Sequence, residues 1–351
     1  MAISDAVAGA ADRLVRTLFK PSVVLYIHGA VPKVADPRVQ AVHFEVDSLV
    51  RTLRELAENF TFRPLTGLAA DDGADGRPGG KPPIFLTSDD GYEDNLTVLL
   101  PLLQEMRIPL TLFVSTHHVE TGERFPTYVL RCFCYYAEKG VYRLPHVAGE
   151  IVVDRDGSSA HWQAHISKVL KRAPLTAVRE IVAAAKDALG PARMCELDEK
   201  FASDKPMTWP QVDEMRKGGA IIGAHCQYHA VLHASERPET VHEQVSGAKR
   251  IVAEKIGACD LFSYPSGSAG AIGPAALREV KAAGYKMAFT TLEGTVGRSL
   301  DGHLMPRLHL SPRGRHNVAR VHLAWRANRT LRRWQRGLLA EMKNAAASPP
   351  P

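Results

Sequence analysis

Short apolar runs bounded by turn residues recur along the chain: VVLYI (23–27), IFLTS (84–88), LTLFV (110–114), AIIGA (220–224), LFSYP (261–265), KMAFTT (286–291) and LMPRLHL (304–310). Most are followed by segments whose apolar residues recur at three and four. Val46, Leu49, Val50, Leu53 and Leu56 form one such face, and Val241, Val245, Ala248 and Val252 another. Near-continuous apolar strands alternating with amphipathic helices predict parallel βα units in a closed or nearly closed barrel.

The rhythm lapses between Val114 and Ala220. The stretches 127–138, 162–172 and 175–188 have helical periodicity, with a turn at VDRDG. A mainly helical insertion at about 117–207 is therefore expected on the barrel. DDGADGRPGGKPP (71–83) reads as a Gly/Pro-rich loop. Residues 1–21 read as an N-terminal helical arm, 22–312 as the barrel, and 313–351 as a basic helix ending in a disordered AAASPPP tail.

Composition adds little: 45% hydrophobic and 23% charged residues are ordinary for a globular chain of 351 residues. The net charge of +6 matters more, because its excess arginines gather in the last segment, from Arg307 to Arg336. The odd number of cysteines (Cys132, Cys134, Cys195, Cys226, Cys259) lacks zinc-knuckle spacing and fits reduced thiols. The first twenty residues lack a basic leader and are interrupted by Asp12, Arg13 and Arg16, and no apolar run is long enough to span a bilayer. A cytoplasmic protein is expected.

Active sites of parallel α/β barrels lie at the C-terminal ends of the strands. There the chain places Asp89 and Asp90, the run His225-Cys-Gln-Tyr-His229, Pro265-Ser266-Gly267 and His309. Adjacent buried carboxylates repel and are costly to desolvate unless a cation joins them. His225 and His229 would stand roughly 13 Å apart in a strand. They are neighbours, with Cβ atoms about 5–6 Å apart, only if the chain turns helical there. Two histidines and one carboxylate form the donor set of a catalytic metal site, with one aspartate as ligand and its neighbour as base. Alone, the histidine spacing better fits surface or capping residues, and Asp-Asp-Gly fits a plain turn.

TSDDGYEDN, HCQYH and FSYPSG, in that order, resemble the motifs of the polysaccharide deacetylases, carbohydrate esterase family 4. Softer similarities extend the resemblance over roughly residues 22–312, among them LLPLLQEMRIPLTLFVST and AGYKMAFTTLEGTVG. The resemblance implies a distorted (β/α)7 barrel and metal-dependent removal of N-acetyl, or sometimes O-acetyl, groups from a sugar. It implies Asp89 as the base, and Asp90, His225 and His229 as ligands of a divalent metal, Zn²⁺ first, with Co²⁺ or Ni²⁺ as alternatives. A backbone N–H at Ser266 would stabilise the oxyanion, and Tyr264 would be a groove wall or a core tyrosine. The family's orienting arginine is missing before FSYPSG; Arg307 is the substitute candidate, or else a structural ion-pair residue. His309 is the candidate acid, although strand alternation could turn it into the helical layer; His28 is the second. His117 and His118 could line the cleft.

The partner implied is an acetylated saccharide, and a cytoplasmic site would favour a lipid- or nucleotide-linked precursor in cell-envelope glycan biosynthesis. A silent glycan-binding barrel would need Asp90 but not Asp89, and a metallopeptidase would carry a glutamate between the histidines, where Cys226, Gln227 and Tyr228 stand. In 318–343, Val318, Val321, Trp325, Leu331, Trp334, Leu338 and Met342 form an apolar stripe among arginines. That pattern suits peripheral contact with an anionic membrane, or a helix packed on the barrel. No nucleic-acid-binding module accompanies the arginines.

Overall fold

The computed structural model describes residues 22–69, 81–154, 158–297, 300–314 and 316–347. The expected N-terminal arm, most of the 71–83 loop and the end of the tail lie outside them. The principal strands are β1 (Val23–Ile27), β2 (Pro83–Ser88), β3 (Leu110–Val114), β4 (Ile221–Ala224), β5 (Leu261–Ser263), β6 (Met287–Phe289) and β7 (Leu308–His309). Their order in the sheet is β6-β5-β4-β3-β2-β1-β7, and every pair is parallel; a two-residue strand, Thr61–Phe62, also pairs with β2. Residues 305–309 link the sheet's two edges, since Met305 bridges to Phe289 while Leu308 and His309 pair with Leu25 and Tyr26. The last strand is shorter than the apolar run LMPRLHL because Pro306 has no N–H to donate to a ladder.

Strand alternation sorts the side chains into two layers. Val24, Phe85, Phe113, Leu261 and Phe289 fill the barrel interior. Leu25, Leu86, Leu112, Ile222 and Leu308 pack outward with the helices, among them Val46–Asn59, whose Leu49, Leu53 and Leu56 are buried. Gly223 on β4 sits in a closely packed part of the interior: a Cβ there would lie 2.7 Å from the Phe113 ring and 2.8 Å from the Leu261 carbonyl oxygen. Gly223→Ala should therefore cost about 1–3 kcal/mol by overpacking. The urea midpoint measures this, and an unchanged midpoint would contradict it.

The insertion has its own core. Helices Pro126–Tyr136, Ser158–Leu170 and Leu175–Leu189 pack around Phe133, Ile166, Ile181 and Phe201. It is less purely helical than the periodicity suggested, because Gly140–Tyr142 and Ile151–Val153 pair as an antiparallel hairpin. These strands are three residues long and present only Ile151, Val153 and part of Tyr142 to the core, too little to show a period of two. The described cysteines are all free, and only Cys195 is exposed.

The C-terminal segment is two helices, Asn317–Leu323 and Asn328–Ala347, joined by a 3₁₀ turn at Ala324–Ala327. Most of its apolar stripe packs on the barrel: Val321, Leu331 and Leu338 are buried, and Val318, Trp334 and Met342 pack against the core, while Trp325 stays exposed. Polar bonds fix the contact. Gln335 Nε2 donates to the Leu304 carbonyl at 2.8 Å, and Asn328 exchanges hydrogen bonds with Thr295. Among the described residues no helix is long and apolar enough to cross a membrane.

Candidate active site

β2 ends at Ser88, and Asp89 and Asp90 follow at its C-terminal end. The two carboxylates diverge despite being adjacent. Asp89 continues the inward face of Phe85 and Thr87 and meets Arg307, which is fully buried. The guanidinium grips the carboxylate at both ends, with Nη1 to Oδ1 and Nη2 to Oδ2 each 2.7 Å. It also donates to the Thr87 hydroxyl (3.0 Å), the Ser263 hydroxyl (2.7 Å) and the Thr290 carbonyl (3.0 Å). Burial would push the Asp89 carboxyl up, but the Arg307 charge and its hydrogen bonds hold it below its ordinary value. The sequence reading gave these three residues no role: Thr87 and Ser263 stand within TSDDGYEDN and FSYPSG beside the residues it singled out, and Thr290 contributes only a backbone carbonyl.

Asp90 takes a left-handed backbone (φ 76°) and turns the other way, toward His225 and His229. Its Oδ1 lies 3.5 Å from His225 Nε2 and 3.3 Å from His229 Nε2. The expected helical turn after β4 does not form. Left-handed residues at Cys226 (φ 61°) and His229 (φ 51°) fold the chain back instead, bringing the two rings to a centroid distance of 4.9 Å. Together with Ser266 (φ 61°), these non-glycine positions concentrate backbone strain at one rim, each costing about 1–3 kcal/mol.

The three donors suit a metal ion. Their ligand atoms all lie within 4.8 Å of one another. Tetrahedral bonds of about 2.0–2.1 Å need donors about 3.3 Å apart. Asp90 Oδ1 is buried with no hydrogen-bond partner. His225 Nδ1 lies 2.7 Å from the Ser263 carbonyl, an acceptor only, so Nδ1 carries the proton and the Nε2 lone pair faces Asp90. Burial lowers the His225 pKa to about 4 and keeps the ring neutral, as a ligand must be. Ser263 thus anchors both halves of the site, its hydroxyl on Arg307 and its carbonyl on His225.

A cavity of about 430 Å³ opens over these groups, lined by Asp89, Asp90, His225, His229, Ser266 and His28 among others. His28 is held by its carbonyl, which accepts from Ser88 Oγ at 3.0 Å and Asn95 Nδ2 at 2.9 Å, and its own Nδ1 is buried without a partner. His309 faces inward, stacked on Tyr26 at 4.8 Å and 6.0 Å from the His28 ring, but does not line the cavity. Burial lowers its pKa to about 4. Tyr264, considered as a groove wall, is instead a core tyrosine: it is fully buried and its hydroxyl donates to the His303 carbonyl at 3.1 Å. His117 pairs with Glu123 at 2.9 Å and His118 is buried against the Glu123 carbonyl, so neither lines the cavity.

Residues 76–288 match the family model for polysaccharide deacetylases. The chain belongs to the polysaccharide deacetylase family. The matched region holds Asp89, Asp90, His225, His229 and Ser266, while His28, Arg307 and His309 lie outside it. Members of this family are generally metal-dependent, in keeping with the Asp/His/His cluster. Three solved structures share the deacetylase fold. One is the Streptococcus pyogenes deacetylase PplD in complex with acetate, at TM-score 0.53 and 15% identity, covering 86% of this chain and 97% of that one. A de-N-acetylase from Aggregatibacter actinomycetemcomitans reaches TM-score 0.50 at 14% identity, covering 86% and 99%. IcaB from Ammonifex degensii reaches TM-score 0.50 at 17% identity, covering 86% and 97%. No curated protein matches the chain.

Proposed function

We propose that this deacetylase hydrolyses the N-acetyl group of an amino sugar with a divalent metal, Zn²⁺ by preference, held by Asp90, His225 and His229. The observation that carries the reading is that this donor cluster and the Arg307-held Asp89 face one cavity. The bound metal would polarise the acetamide carbonyl and make water acidic enough to react near neutral pH.

Asp89 is the general base. Each of its oxygens has two lone pairs, so the grip of Arg307 leaves one free on each to accept a proton from the attacking water. Because Arg307 keeps the carboxylate ionised, Asp89 is ready to accept at neutral pH, and the guanidinium fixes its direction. The Ser266 backbone N–H, on the left-handed turn at the cavity wall, would donate to the oxygen that becomes negative as the carbonyl is attacked. The leaving nitrogen must regain a proton. Both His28 and His309 have a buried ring nitrogen without a partner, but only His28 lines the cavity, and that position makes it the favoured donor.

The test is acetate release from N-acetylated chitooligosaccharides, with O-acetylated sugars in parallel. Chelator-treated protein should lose the N-acetyl activity and recover it with Zn²⁺ or Co²⁺. Turnover that survives complete metal removal would overturn the reading, and release from O-acetyl substrates alone would reverse the assigned specificity.

A further inference from the structure

The far wall of the cavity belongs to the insertion. Two of its helices present polar stripes at helical spacing. Thr127 and Arg131, four apart, line the cavity from Pro126–Tyr136. Gln163, Ser167 and Lys171 continue at the same interval along and just past Ser158–Leu170, with Gln163 Nε2 donating to Ser167 Oγ at 3.1 Å. Among the charged side chains lining the cavity, the carboxylates are already engaged, Asp89 by Arg307 and Asp90 in the donor cluster. The remaining charges are Arg131 and Lys171, both cationic. Arg131 is half-buried and donates from Nη1 to the Val39 carbonyl at 3.1 Å; among the described residues neither cation pairs with a carboxylate. A guanidinium cannot shed its charge and has five donors in a fixed fork. Placing one, part-desolvated and without an ion-paired carboxylate, on a cavity wall that carries a second cation is costly unless an anion arrives with the ligand.

We infer that the acetylated sugar carries an anionic group, a phosphate ester or a carboxylate, that is held by Arg131 and Lys171 on the insertion side of the cavity. This rests on the deacetylase reading for the nature of the sugar. The barrel rim then handles the acetyl group, and the insertion selects the charged substituent. A neutral oligosaccharide would leave both cations unmatched and would be the poorer ligand.

Calorimetric binding to the metal-loaded full chain tests this with three probes: N-acetylglucosamine, N-acetylglucosamine 1-phosphate and the corresponding N-acetylated uronic acid. Acetate release is followed in parallel. At low salt at least one charged probe should bind about tenfold or more tighter than the neutral sugar, the lower end of what a charge-assisted hydrogen bond contributes. The phosphate and carboxylate arms show which anion is read. Added salt should shrink the preference. Arg131→Gln with Lys171→Gln should abolish it, and Lys171→Gln alone, at an exposed position, should reduce it without risk to the fold. Equal binding of all probes, or a preference that survives the double substitution, overturns the inference even if neutral sugars are deacetylated. The preference upholds it even without acetate release from these probes, and loss of release from the chitooligosaccharides as well would separately refute the deacetylase reading.

Discussion

Asp89→Asn should keep its metal and lose about two to four orders of magnitude in turnover, the contribution of a positioned general base. Asparagine preserves the shape of the carboxylate, and Arg307 can still donate to its carbonyl oxygen, so the neighbouring cluster stays in place. Asp90→Ala should do the opposite. It removes the oxygen that lies 3.3–3.5 Å from both imidazoles and leaves His225 and His229 to hold an ion alone. The purified variant should be depleted of metal, and inactive for that reason. Metal content and kcat measured on both proteins decide the matter; equal metal loss in the two would sink the division of roles. Because Asp89 keeps the inward direction of the strand end and the left-handed turn at Asp90 sends the next side chain elsewhere, neighbouring carboxylates can do different work here. Asp89 is neutralised by the guanidinium of Arg307, the residue just before β7, and Asp90 is assigned to a metal at the mouth of β4.

Arg307→Met should destabilise the protein by about 3–5 kcal/mol, because it leaves Asp89 buried and without its counter-charge. Arg307→Lys should fall in between, since an ammonium cannot reproduce the two parallel bonds. The diagnostic result is the double variant. Asp89→Asn combined with Arg307→Met removes both charges at once and should lose less stability than the sum of the single changes. Urea unfolding of the metal-free proteins measures this. Additive losses would show that the side chains are not energetically coupled, against the 2.7 Å bonds at both carboxylate oxygens. The single Arg307 variants should also lose turnover, because the direction of the Asp89 carboxylate depends on the same grip.

Much of the architecture was legible because strand and helix periods are written locally. Apolar runs of strand length mark β1 to β6, and the polar residues following each run name the rim. That placed Asp89, Asp90, the His225–His229 segment and Ser266 near one another before any coordinates. The two three-residue strands of the insertion were not legible, because they are too short to display a period. Tyr264 could not be settled either: a tyrosine at a strand end serves a wall or a core, and only its hydrogen bond to the His303 carbonyl decides. The C-terminal stripe had the same ambiguity. An amphipathic helix needs an apolar partner, and its sequence does not say whether that partner is lipid or the protein's own barrel. Here Leu331, Leu338 and the buried Gln335 meet the barrel.

By itself, then, the sequence determined which residue types reach the rim and in what order, since each strand's alternation depends only on near neighbours. Tertiary structure decided how they meet. Asp89 and Arg307 are separated by 218 positions, and no local pattern records that β7 closes beside β1 and delivers a guanidinium to the end of β2. The histidines four apart converge through left-handed residues at Cys226 and His229, a conformation that no local propensity favours and that the packed surroundings must impose. Arg131 and Lys171 look like ordinary helix charges until the insertion folds back and makes them a wall of the cavity. Local periodicity is a short-range property, whereas a site assembled from several strand ends and an insertion depends on contacts across the whole chain, formed only when the core closes.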